Sequence, residues 1–560
     1  MLEYRGTYDD VMRGFRWQLP RTYNIATAVA EDWARREPDR LALVHRDAAG
    51  REERWSYGRI DATANRLANG LRSLGLGRGD RIAILLPQGP ETLICHLAIY
   101  KLAAIALPLS TLFGVEALSY RLEHAGARAV VANRAGLAAV AEIRDVLPDL
   151  RHVVVVDAGP AGAEPVPGLS VVDLDRLLAA ASDRFETEPT GPDTPAMMIY
   201  TSGTSGPPKG ALHGHRVLLG HLPGIEFVHE GFPREGDVAW TPADWAWAGG
   251  LLNLLLPSLA FGVPVIAGRQ EKFDPDFAYW LIERYRVRTA FIPPTALRLM
   301  RRVDNPRGRY DLQLRTIGSA GESLGSETFE WARADLGLTV NEFYGQTECN
   351  IVIGSSAKLG VARAGLIGRC VPGHKVAIVD ETGDELPAGE LGQIAIRAPD
   401  PVMFLEYWRK PEATVEKFLG DWMITGDVGV MDEEGYVRFV GRDDDVITSS
   451  GYRIGPAEIE DCLAGHPAVA LAAVVGRPDR LRTETVAAFV KLAPGAVPSP
   501  DLAATLRDYV RKRLSAHEYP REVTFVDEIP LTTSGKVIRR LFRERAHAEA
   551  AAEEASKHWE

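Results

Sequence analysis

This chain of 560 residues is poor in cysteine, has no basic excess and contains no long uninterrupted apolar run. Its 64 Lys and Arg against 76 Asp and Glu leave a net charge of -12. Nucleic acid and anionic membranes attract proteins with basic faces, so neither is an expected partner. A polyanionic ligand would have to be held by local donors. The four cysteines, Cys95, Cys349, Cys370 and Cys462, are too few and scattered for a disulfide framework, and no pair has C-x-x-C spacing. They read as free thiols in a reducing cytoplasm. The most apolar stretch, Gly250 to Gly268, is broken by Asn253, Pro257, Gly262 and Pro264. A spanning helix needs about 20 apolar residues in a row, so this stretch reads as buried core and excludes stable membrane insertion. Glu3, Asp9 and Asp10 among the N-terminal arginines argue against a secretory or transit segment.

What is present is ordinary globular material, 46% hydrophobic and 25% charged. At roughly 100–200 residues per domain it predicts about three or four structural units. Ile60, Ala64, Leu67 and Leu71 recur at helical spacing, Arg81–Pro87 is a short apolar strand, and a helix is expected through His96–Leu102. The same alternation returns over Met197–Gly268 and Thr289–Ser319, which predicts an α/β fold of open sheets flanked by helices. From Cys370 to Arg442 the pattern changes to alternating strands joined by acidic glycine turns, predicting hairpins or a small β-barrel subdomain. Beyond Asp444 the chain becomes α+β. A helix starts at Pro456, strands cover AVALAAVVG and TVAAFVKLA, and Leu502, Leu506, Val510 and Leu514 mark another helix. The alanine-rich tail predicts a solvated helix. The expected division is 1–443 and 444–560, with the barrel at about 370–442.

The strongest motif is MMIYTSGTSGPPKG, Met197 to Gly210. A strand enters a loop holding Gly203, Gly206 and Gly210, the hydroxyls of Thr201, Ser202, Thr204 and Ser205, and Lys209. Glycines let backbone N–H groups converge, hydroxyls add donors, and lysine adds a point charge, which together suit a polyphosphate. A flexible surface loop would not need this ordered set. The spacing is not the Walker form, because Gly210 stands where Ser or Thr would follow the lysine.

YTSGTSGPPKG resembles the phosphate loop of the adenylate-forming superfamily of acyl-CoA synthetases, nonribosomal adenylation domains and luciferases. NEFYGQTE and SSGYRIGPAEIE are most similar to medium-chain acyl-CoA synthetases, and the signatures run in order from about Trp55 to Arg540. The resemblance implies a large N-terminal AMP-binding domain and a small mobile C-terminal one. It also implies ATP, Mg²⁺ and coenzyme A as cofactors, and two half-reactions through an acyl-adenylate. Lys536 in PLTTSGKVIRR resembles the catalytic lysine of the first half-reaction; a helix is expected to begin just after it, at Val537. In Asn341–Glu348, Glu342, Phe343, Tyr344, Gly345 and Gln346 line the nucleotide by resemblance, Thr347 donates to phosphate, and Glu348 helps hold Mg²⁺. Gly321, Glu322 and Ser323 resemble the adenine-side loop. Asp427 resembles the carboxylate that accepts the ribose hydroxyls, with Arg442 beside it, whereas Asp443 and Asp445 read as solvated.

Asp444 resembles the hinge between the two domains. Rotation there would withdraw Lys536 and bring Ser450, Gly451, Tyr452 and Arg453 to the pantetheine, with Arg482 a candidate for CoA phosphate. Glu518, before Tyr519 and Pro520, departs from a basic residue common in the family. For the acyl group the pocket candidates are Gly345, where short-chain enzymes of the family carry tryptophan, and Trp247; Trp245 and Asp244 read as structural. His213 and His215 are expected to enter the helix after the phosphate loop, as packing or capping residues. The expected substrates are thus a monocarboxylic acid of medium chain length, ATP and CoA. A branched short-chain or aryl acid is the alternative, as is a stand-alone enzyme loading a carrier protein. A homo-oligomer is left open.

Overall fold

The computed structural model describes residues 2–159, 162–201, 207–268, 272–449, 452–479, 482–514, 519–532 and 536–556. An eight-stranded sheet runs in the order Glu406–Tyr407, Gly210–Gly214, Pro195–Tyr200, Ile105–Pro108, Arg81–Leu85, Ala129–Ala132, His152–Val155, Ser170–Asp173. From Pro195–Tyr200 onward its neighbours are parallel, and the first two strands are antiparallel additions. A nine-stranded sheet carries a parallel centre of Val340–Tyr344, Thr316–Ser319, Thr289–Phe291, Ala239–Trp240, Val265–Ala267 and Leu41–Arg46. Parallel strands need crossovers and both faces covered, and the intervening helices supply both. The helix Tyr57–Ser73 shows how: the Ser56 hydroxyl caps it by accepting from Arg59 N at 3.3 Å, while Ile60, Ala64, Leu67 and Leu71 form its buried stripe. The helix expected through His96 spans Pro90–Lys101 and is buried along its length, so it has no amphipathic face to read. The largest apolar cluster joins Ile60, Leu67, Leu97, Met197, Leu255 and Val265, drawn from both sheets.

The segment expected as a barrel forms a five-stranded antiparallel sheet around the ten-residue strand Trp422–Met431. Val376–Val379 lies at one edge with two strands between it and Val437–Arg442, and among the described residues these two do not pair to close a barrel. The smaller C-terminal domain is a second five-stranded sheet, built on the hairpin Val469–Asp479 and Thr483–Leu492, with the helices Pro456–Ala464, Pro500–Arg513 and Arg539–Ser556. One expectation changes here. The last helix starts at Arg539, because Val537 is held in a bridge to Leu531. Its first turns are anchored, with Phe542 and Ala546 buried and Phe542 4.8 Å from the Phe489 ring, while His547 to Ala551 of the alanine-rich tail are exposed or half-buried. Alanine propensity indicated the helix but not the buried stripe at its start.

Candidate functional site

In open parallel sheets ligands bind beyond the carboxyl ends of the strands. Three motifs lie at such ends. Pro195–Tyr200 leads into Thr201 and the phosphate loop, Thr316–Ser319 into Gly321–Ser323, and Val340–Tyr344 into Gly345–Glu348. Ser202, Gly203, Thr204, Ser205 and Gly206 lie outside the described residues. The feet of their loop are tied, since Thr201 N donates to Lys209 O at 2.9 Å and Tyr120 OH to Pro208 O at 2.9 Å. The chain then returns as the antiparallel strand Gly210–Gly214, so His213 sits on a strand and not on a helix. His215 precedes the helix Arg216–Val228 and its Nδ1 accepts from Ile25 N at 3.1 Å. Burial lowers both imidazoles to about 3, which keeps them neutral. No group of three His, Cys, Asp or Glu able to hold a metal occurs among the described residues.

The centre of the site is Asp427, 4% exposed. Its Oδ2 accepts from Tyr344 OH at 2.5 Å and from Gln346 Nε2 at 2.6 Å, while Arg442 lies 3.3 Å from Oδ1. A buried carboxylate needs such partners. Burial and the Asp427 charge push the Tyr344 hydroxyl well up, so it stays a donor. The Gln346 carbonyl accepts in turn from Lys417 Nζ at 3.3 Å, and Lys417 also reaches Thr425 O at 3.1 Å. Burial lowers the Lys417 pKa, against the pull of Glu348, Cys349 and Asp427. Glu348, 7% exposed, accepts a short hydrogen bond from Tyr407, and Lys209 Nζ stands 4.9 Å over the Tyr407 ring. Thr347, between Gln346 and Glu348 in sequence, is half-buried.

Glu342 is turned to the adenine-side loop, where its carboxylate accepts from Leu324 N at 3.1 Å. Burial pushes it up to about 8. Glu322 accepts from Thr295 at 2.8 Å and from Arg298, Ser323 donates to Asp461 at 3.2 Å, and Gly321 is exposed with φ at +99°. Asp461 comes from the C-terminal helix Pro456–Ala464, so this loop is also where the domains meet. Arg513 adds a second contact, 3.6 Å from Glu327. In this arrangement Lys536 projects from the Leu531–Val537 bridge. Desolvation lowers its pKa, against the pull of Glu322 and Asp427. Phe343 is buried against Phe291 at 5.7 Å.

The remaining expectations divide. Asp444 is exposed, 3.7 Å from Arg442, but Asp445 is not a solvated acid: Arg539 holds it at 3.3 Å and Arg543 bonds it closely. Ser450, Gly451 and Glu518 lie outside the described residues; Tyr452 and Arg453 start the strand Tyr452–Ile454, opposite Ser449 and Thr448, and their side chains are not described. Arg482 is tied by its backbone to Asp479 at 2.9 Å. Trp247 packs edge-on against Phe113 at 5.7 Å, Trp245 is fully buried, and Asp244 accepts from Ser110 at 2.9 Å, a structural bond. The segment after Trp247 is a helix carrying a π-turn at Leu251–Leu255, from which Asn253 bonds Asn350 at 2.5 Å. Gly345 has its own reason to be glycine: a Cβ would meet Asn350 Cα at 2.5 Å and Ile351 N at 2.6 Å. Sequence reasoning missed Tyr407, Lys417, Asn253 and Asn350.

Loops that follow parallel strands, gathered with Gln346 and Arg442 round the buried Asp427, define the class, an adenylate-forming ligase. Residues 30–408 match the AMP-binding enzyme family and residues 458–536 its C-terminal domain, so the chain belongs to that family. It is 34% identical to the acetyl-coenzyme A synthetase of Bacillus subtilis (strain 168), over 96% of this chain and 94% of that one. It is also 34% identical to the human mitochondrial acyl-coenzyme A synthetase ACSM4, over 94% and 91%. The solved anthranilate CoA ligase AuaEII, in complex with anthranoyl-AMP, superposes with a TM-score of 0.86 at 28% identity, covering 95% of this chain and 99% of that one. The protein is an AMP-forming acyl-CoA synthetase that uses ATP and CoA.

Proposed function

We propose that this synthetase activates an apolar monocarboxylic acid of medium chain length. The carboxylate attacks the α-phosphorus of ATP, releasing pyrophosphate, and the CoA thiol then displaces AMP from the acyl-adenylate. The observation that carries the site reading is the buried Asp427 with Tyr344, Gln346 and Arg442 around it. Asp427 and Arg442 take the ribose, and Gly321, Glu322, Ser323 and Tyr344 the adenine side, with Glu342 and Phe343 on the same strand as Tyr344 supporting them. Thr201 to Gly206 with Lys209 and Thr347 take the phosphates. The approach of one anion to another is the electrostatic problem, and Lys536 and Lys209 place cations where charge develops.

The donor set also fits Mg²⁺, which is bound through one or two carboxylates plus substrate phosphates rather than by an all-protein cage. Glu348 offers one hard carboxylate, with Thr347 its neighbour in sequence, and when bound the ion would screen phosphate charge. Rotation about Asp444 would replace Lys536 by Ser450, Gly451, Tyr452 and Arg453 for the second half-reaction, with Arg482 toward CoA. Gly345 and Trp247 bound the acyl group, in a cytoplasmic enzyme. An aryl acid is the second reading, favoured by the Trp247–Phe113 pair and the likeness to the anthranilate ligase. A pyrophosphate-release screen over straight-chain, branched and aromatic acids, with and without CoA, tests both. Highest kcat/KM on medium-chain acids with CoA-dependent turnover supports the first reading. A preference for benzoate-like acids supports the second, and turnover only with a carrier protein contradicts both.

A further inference from the structure

Tyr407 lies on the short strand that extends the phosphate-loop sheet, opposite Ala211. The pairing is fixed on both sides, by Leu405 N to Leu212 O at 2.6 Å and Trp408 N to Gly210 O at 2.8 Å. Its own N–H donates to Thr414 Oγ1 at 2.9 Å, and Phe404 supports its ring at 4.8 Å. The ring is therefore set rigidly beside Lys209. The side chain is 3% exposed, with its hydroxyl on Glu348 Oε1 and its face toward the Lys209 ammonium. Glu348 is bound to the same segment through its backbone, since Phe404 N donates to Glu348 O at 2.7 Å. A buried carboxylate that must accept a cation cannot be satisfied by a lysine or arginine, which would neutralise it. A neutral hydroxyl satisfies one oxygen and leaves the charge in place.

We propose that Tyr407 is a positioning residue for the metal–nucleotide complex. Its hydroxyl fixes the Glu348 carboxylate so that the second oxygen serves the divalent cation, and its ring holds the Lys209 ammonium alongside until phosphates engage it. The proposal rests on the reading of Glu348 as the metal-side carboxylate and Lys209 as a phosphate contact. Both half-roles use one side chain, which couples the loop lysine to the metal carboxylate.

The test is ATP binding by calorimetry at stepped MgCl₂ with no carboxylic acid present, so that no chemistry occurs. Tyr407→Phe keeps the ring and removes the hydroxyl. The expected result is a roughly tenfold higher Mg²⁺ midpoint, the fold-change of one hydrogen bond to a charged group, with Mg²⁺-free ATP binding unchanged. Tyr407→Leu should weaken Mg²⁺-free binding as well. Replacement by 3,5-difluorotyrosine, which preserves shape and packing, should also move the midpoint and covers the case of a Phe variant that does not fold. An unmoved midpoint in the folded Tyr407 variants overturns the proposal. Glu348→Gln separates the two failures: if it shifts the midpoint and the Tyr407 variants do not, the Tyr407 role alone is wrong, and if none shifts it, the metal reading of Glu348 falls too.

Discussion

Replacing Gly345 by alanine should damage the nucleotide site rather than reshape the acyl pocket. The added Cβ would meet two backbone atoms, Asn350 Cα at 2.5 Å and Ile351 N at 2.6 Å. Carbon atoms pack at about 3.5–4.0 Å, so roughly 1 Å must be found by moving the turn. Backbone cannot swing aside as a side-chain tip can, and Asn350 is itself pinned to Asn253. Overpacking of this kind costs about 1–3 kcal/mol. The neighbours on either side, Tyr344 and Gln346, are the two donors to Asp427 Oδ2, so the displacement reaches the nucleotide directly. At 1.36 kcal/mol per tenfold, kcat/KM should fall about 5- to 150-fold. The assay is kcat/KM for acids from acetate to decanoate under saturating CoA, with a thermal melt on each variant. The reasoning requires a similar fall for every acid, acetate included, in Gly345→Ala. Retained acetate activity with loss confined to longer acids would refute it and show that position 345 acts only as a pocket wall.

Lys417→Met should raise the KM for ATP about tenfold while leaving thioester formation from supplied acyl-adenylate within about twofold, because Lys417 orients the Gln346 amide that donates to Asp427. A KM unchanged by the substitution would place Lys417 outside the site. Burial, with Glu460 and Glu322, pushes Asp461 up to about 7 against the pull of Arg298 and Ser323, and Glu342 faces it from the strand Val340–Tyr344. The docked state therefore binds this proton more tightly than an exposed carboxyl near 3.9 does, so docking weakens as pH rises from about 4 toward 7. The ratio of adenylation to thioester rate should fall with pH over the measurable part of that window, and Asp461→Asn should flatten it; an identical slope in the variant would contradict the assignment.

Much of the fold was legible because its pattern is local. The stripe of Ile60, Ala64, Leu67 and Leu71 and the strand Arg81–Leu85 are written in consecutive residues. The motif residues were legible because each loop follows a parallel strand directly. The partners were not. Tyr407 and Lys417 lie 59 and 71 residues from Glu348 and Gln346, and only strand pairing brings them in. His213 was misplaced because a glycine-rich loop can be followed by either helix or strand, and antiparallel pairing with Pro195–Tyr200 decides it. Asp445 looked solvated because an acidic turn does not show that two arginines about a hundred residues later fold back onto it. The buried start of the last helix was hidden in the same way, since Phe542 packs on Phe489, a strand residue well upstream in the chain.

The central claim is that one cation, Lys536, serves adenylation from a docked C-terminal domain and is absent from the second half-reaction. The measurement that tests it most directly is Lys536→Ala assayed on the two half-reactions separately, acid-dependent ATP–pyrophosphate exchange and thioester formation from synthetic acyl-adenylate and CoA. The account predicts loss of exchange by about two orders of magnitude or more with thioester formation nearly intact, given what one preorganised charge contributes. Equal loss of both half-reactions would contradict it.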